Sequence, residues 1–126
     1  MLGTQAGCTP FPGLRVSFSL PDDSPLSTLV RDQWMSTDRG LAEQARRLLR
    51  ERLGDGTRRP SRADLEAVGL RCEPAPLLAC SHRSEIRRTP VGPMPAAGAR
   101  TRTLTVQVLA QIDAPLESLA VHKTED

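Results

Sequence analysis

STDRGLAEQARRLLRERLGDGTRRPSRADLEAVGL, residues 36–70, is where apolar spacing, caps and breakers agree. Leu41, Ala45, Leu48, Leu49 and Leu53 recur on a 3.6-residue period and make one apolar stripe. Arg46, Arg47, Arg50 and Arg52, with Glu43 and Glu51, cover much of the remaining surface. Ser36, Thr37 or Asp38 can accept a free backbone N–H at the start. Gly54 stands just past the last apolar residue, where a left-handed residue closes a helix. These signals predict a helix over 38–53. Ser61 and Asp64 have the spacing of a capping box, Leu65 and Val68 face one way, and Gly69 stops the run. They predict a second helix over 61–68, too short to stand alone and therefore leaning on Leu48, Leu49 and Leu53.

Working outward, Leu14 to Leu20 alternates Val16, Phe18 and Leu20 with Arg15, Ser17 and Ser19, which predicts a half-buried strand over 14–20. Ser24-Pro25 opens a further helix, about 25–34, with Ser as cap and Pro in the first turn. Arg71 to Arg102 carries Pro74, Pro76, Pro90, Pro93 and Pro95 and reads as an irregular, disordered linker whose only apolar cluster is Leu77, Leu78 and Ala79. Alternation returns at 103–112, where Leu104, Val106, Val108, Ala110 and Ile112 share one face of a strand. Asp113 then caps a short helix through Pro115, Leu116 and Leu119, ahead of a polar tail. The architecture expected is mostly α with minor β, a small α+β fold: a three-helix unit flanked by two strands. The organisation is a flexible arm (1–13), a helical unit with its preceding strand (14–70), a Pro/Arg-rich linker (71–102) and a C-terminal segment (103–126).

Composition limits the core. Of 126 residues, 38% are hydrophobic, 9 are Gly and 11 Pro, and the aromatics are Phe11, Phe18 and Trp34 alone. Aromatics supply much of the buried area in ordinary cores, so folding completed on a partner is the expectation. The net charge of +2 is nearly balanced, and the cations are almost all Arg. Cys8, Cys72 and Cys80 are odd in number and irregular in spacing, a poor disulfide framework, which predicts reduced thiols and an intracellular, cytoplasmic or nuclear, protein. No apolar run is long enough to span a membrane.

The motifs point to binding. Arg15-Val16-Ser17-Phe18 resembles the RVxF docking motif of type-1 protein phosphatase regulators, in which an extended peptide adds to a sheet edge and two apolar side chains enter pockets. Leu49, Arg50 and Leu53, then Arg59-Pro60, then Asp64-Leu65 resemble the RPEL actin-binding motif, with a longer inter-helix loop and a shorter second helix. Arg87, Pro90 and Pro93 are similar to Src-homology-type ligands, and Arg87-Arg88-Thr89-Pro90 to a kinase substrate site at Thr89. The Arg series from Arg46 to Arg62 is diluted by Glu43, Glu51, Asp55 and Asp64 and reads as a solvated helix face, which makes nucleic-acid binding unlikely.

His82 and His122 are the only imidazoles, and Cys72, Cys80 and His82 lack the short repeated spacing of a zinc site, so no catalytic residue, metal or cofactor is expected. The sequence thus predicts a non-enzymatic regulatory adaptor or protein-binding module. Arg15, Val16 and Phe18 would dock type-1 protein phosphatase, and Arg46, Leu49, Arg50 and Leu53 would bind a second protein. The alternative is a structural subunit that completes its fold within a larger complex.

Overall fold

The computed structural model describes residues 13–54, 58–91 and 100–126. β1 (Leu14–Ser19) begins after Gly13 and turns Leu14, Val16 and Phe18 toward the interior. α1 (Pro25–Gln33) starts where Ser24 Oγ accepts the Ser27 N–H, with Pro25 in its first turn. α2 (Asp38–Leu53) is capped by Thr37 and ended by Gly54, whose N–H donates to Arg50 O. α3 (Arg62–Val68) carries a complete capping box: Ser61 and Asp64 satisfy each other's backbone N–H. The helices therefore fall on the spans given by the apolar period.

The second half of the chain differs from expectation. β2 (Arg71–Cys72) and β3 (Ala79–Pro90) occupy the stretch expected to be an irregular linker. β4 (Arg102–Gln111) follows, then a 3-10 turn at Leu116–Ser118, then β5 (Ala120–Glu125). Asp113 caps no helix; it sits in the turn at positive φ, its N–H donating to Pro60 O at 2.7 Å. The mostly-α expectation is corrected: three helices pack on a five-stranded antiparallel sheet, and strand (35%) matches helix (34%).

The sheet runs β1-β3-β4-β5, with β2 also on β3. β3 is its spine, pairing with β4 along most of its length and with β1 and β2 end to end along its other edge. The two strands expected to pair with each other, at 14–20 and 103–112, are separated by β3. The helices lie on one face. Leu26, Val30, Leu41, Ala45, Leu49, Leu65 and Val68 close over Val16, Ile86, Val106, Val108 and Val121 in one continuous core. Cys72 and Cys80 are direct cross-strand partners and form a disulfide, where free thiols were expected; the pairing is hidden until β2 and β3 are recognised as strands.

Two polar contacts lock the last strand to the helices. Arg46 on α2 donates to Leu116 O at 3.2 Å and Leu119 O at 3.1 Å, holding both ends of the 3-10 turn. Lys123 on β5 points inward, between sheet and helices, and donates to Trp34 O at 2.9 Å and to Ser36 O just beyond α1. A cation placed there meets the last carbonyls of α1, where the helix dipole favours it.

Candidate functional site

Alternation along the strands sorts every side chain to one of two faces. Cys80, His82, Ser84, Ile86 and Arg88 of β3 face the helices; Ala79, Ser81, Arg83, Glu85, Arg87 and Thr89 face away. With Arg15, Ser17 and Ser19 of β1, Thr103, Thr105, Gln107 and Leu109 of β4, and Ala120, His122 and Thr124 of β5, they make a polar outer face. Among the described residues no helix covers it. Arg15, Arg83 and Arg87 give this face a cationic bias against Glu85 alone.

One end of the outer face is apolar. Leu77 and Leu78, just before β3, are 55% and 52% exposed. They adjoin a shallow depression of about 440 Å³ lined by Ala79, Leu109, Ala110 and Ala120. Leu78 is fixed in place by its carbonyl, which accepts Ile112 N–H at 2.9 Å.

A second concavity, a cleft of about 330 Å³, opens where β1 ends and β2 has not begun. Residues 82–84 of β3 pair with β4 but with neither β1 nor β2. Backbone groups of an antiparallel strand point alternately to its two sides. Ala79 O receives Glu73 N–H and Val91 N–H donates to Gly13 O, so odd-numbered residues of this stretch face the β1/β2 edge. Arg83 therefore directs its N–H and C=O into the cleft. Arg71 and Arg83 stand at the mouth, and Arg71 reaches across to Pro21 O at 3.4 Å. Arg83 is paired with Glu85 at 3.3 Å.

His82 forms part of the floor. It is 2% exposed, and its Nδ1 lies 3.1 Å from Gly69 O, an atom that can only accept. Nδ1 thus carries the proton, and Nε2 accepts the Ser84 hydroxyl at 2.8 Å. Burial holds the imidazole below its ordinary pKa, assisted by Arg71 and opposed by the Gly69 carbonyl and Asp22. A serine on an oriented histidine is the arrangement that activates a hydroxyl nucleophile. Ser84, however, is 0% exposed and lies on the inner face, where no substrate can meet it. The pair satisfies itself inside the core.

The residues singled out from sequence are dispersed. Val16 is 0% exposed, main chain included, and pairs with Arg88; Phe18 packs against the core. Arg15 alone of the RVSF run projects outward into solvent. Leu49 is buried, Leu53 is half-buried, Arg46 is engaged with the 3-10 turn, and Arg50 is exposed. In the RPEL-like run, Leu65 and Pro60 are buried, and Asp64 binds Arg58 at 2.7 Å. Arg87, Thr89 and Pro90 are strand residues of β3, and Pro93 lies outside the described residues. Cys72 and Cys80 are spent in the disulfide, and among the described residues no three His, Cys, Asp or Glu side chains gather as a metal site. Sequence reasoning passed over Arg71 and Arg83 because both lay in the expected linker.

Among the described residues no helix is long and apolar enough to cross a membrane. Comparison with protein-family models, with curated proteins and with solved structures finds no match.

Proposed function

We propose that this chain is a non-enzymatic protein-binding module, an adaptor that engages a partner protein with the uncovered face of its sheet. The observation that carries this reading is the exposed Leu77-Leu78 pair beside the Ala79, Leu109 and Ala120 depression. Exposed apolar surface rimmed by polar residues marks contact sites. Here the rim is Arg83, Gln107 and His122 in the adjoining row, with Arg87 further along. Apolar centre and Arg-containing rim are the composition of protein interfaces. The stripe of α2 and the RVSF run are poorer surfaces, because both are spent on the chain's own core.

The test is a photo-crosslinking residue at Leu78, with a second at Glu51 on the far helix face as control. A discrete adduct formed in cell extract from position 78 and not from 51, and lost in a Leu77→Ser/Leu78→Ser chain whose melting curve is unchanged, supports the module. Equal capture from both positions, or capture indifferent to the serine pair, rejects it. Type-1 phosphatase is assayed alongside. Its binding through Val16 and Phe18 requires β1 to leave the sheet, at a cost of about 1.5–3 kcal/mol for exposing Val16 alone. Phosphatase-induced loss of protection at Ser17 and Ser19 would mark that route.

A further inference from the structure

We propose that the cleft between the end of β1 and the start of β2 is a binding site for a carboxylate carried by an extended polypeptide. The inference stands apart from the outer-face reading, since the Leu77-Leu78 patch lies at the apolar end of the sheet and supplies none of the cleft's lining. Arg83 offers a backbone N–H and C=O toward an edge on which no strand lies against residues 82–84. A single residue of a bound chain can exchange both backbone hydrogen bonds with it, as an antiparallel pair does. Arg71, whose side chain contacts only the Pro21 carbonyl among the hydrogen bonds and ion pairs of the described residues, supplies the cation. A carboxylate accepting from both the Arg71 guanidinium and the Arg83 N–H gains charge-assisted hydrogen bonds. The floor, Gly69 and His82, offers no competing donor, because the His82 proton is committed to Gly69 O and its other nitrogen accepts from Ser84. Glu85 at the rim is the one anion in the lining. It is held by Arg83 and limits the site to a single negative charge. The cleft volume of about 330 Å³ matches one or two residues, not a folded domain.

A carboxylate of this kind comes from a chain terminus or from a Glu or Asp side chain, and the probes separate the two. The full-length chain, labelled with nitrogen-15, is titrated with acetyl-Ala-Ala-Ala acid, with the same peptide as its C-terminal amide, and with acetyl-Ala-Glu-Ala amide. Saturable shifts of the Arg83 amide and the His82 ring with the free acid assign the terminus; the same shifts with the Glu peptide assign the side chain. The Ala amide leaves them still. Arg71→Gln, an exposed change that spares the core, weakens binding about tenfold or more. Glu85→Gln strengthens it severalfold by removing the rim anion. Shifts that follow the amide as well as the acid, no saturation with either carboxylate, or affinity unchanged in both Arg71→Gln and Glu85→Gln would overturn the proposal. None of these outcomes depends on Leu77 or Leu78, so this site and the outer-face module fail separately.

Discussion

His82 shows how a single residue can sit against its own chemistry in this fold. It occupies an inward position of the central strand that an aliphatic side chain would fill at no polar cost, yet both ring nitrogens are engaged. Its lowered pKa fixes the sign of the pH dependence. The folded state prefers the neutral ring, so this part of the stability is complete above 6.5 and is lost as pH falls through the folded value. Asp64 has a separate window. The Ser61 backbone N–H, opposed by burial and reinforced by Arg58, holds its pKa at about 2 against 3.8, so its contribution is complete above 3.8 and fades as pH approaches about 2. Urea unfolding at pH 7.5, 5.5 and 3 should show both losses, and His82→Gln should remove the first while leaving the second. Gly69 is the other decisive residue. At φ +121° it is in a region closed to most side chains, and a Cβ there would lie 2.1 Å from Ser24 Oγ and 2.7 Å from Ser24 Cβ. Gly69→Ala is expected to cost about 2 kcal/mol or more, read as a lower urea midpoint with the slope unchanged.

At the scale of elements, legibility followed the chemistry of the inward positions. β1 and β4 alternate apolar with polar residues and are readable as strands from sequence. β3 is not, because the residues facing the core are Cys80, His82, Ser84, Ile86 and Arg88, only one of them a large aliphatic. Each polar one is satisfied by a distant partner that no local window contains: Gly69 for His82, Glu125 for Arg88, Cys72 for Cys80. β5 is obscured in the same way by inward Lys123, a charge of the kind that also keeps an edge strand from pairing with another chain. The cleft and the outer-face patch inherited this blindness, since Arg71, Leu77, Leu78 and Arg83 have positions only once β2 and β3 exist. The helices escaped it because their caps and apolar period are local. Arg46 joins the two halves and is the best single test of that union. Arg46→Ala removes donors to the Leu116 and Leu119 carbonyls and should cost about 1.5–3 kcal/mol, while Arg46→Met, keeping the stem without the guanidinium, should cost nearly as much. Amide exchange should rise first in β5 in both variants; a loss spread evenly over the sheet would contradict this role.

For the whole molecule, scarcity of aromatics does not leave the core incomplete. Small aliphatics from all three helices and four strands meet in one cluster, with Phe18 and Trp34 packed at its margin. What the composition could not convey is that β3, the Pro- and Arg-bounded middle of the chain, forms the spine against which both β1 and β4 are laid. The binding surfaces proposed for this protein exist only if that spine is formed by the chain alone. Hydrogen exchange of the isolated full-length protein measures this directly. Alternation places the N–H groups of His82, Ser84 and Ile86 in bonds to β4, and those of Ser17 and Ser19 in bonds to β3. All five are expected to be protected together with the α2 amides, and to lose protection in one cooperative step with urea. Rapid exchange through residues 79–90 while α2 stays protected would show a helical unit with a loose linker and contradict the account.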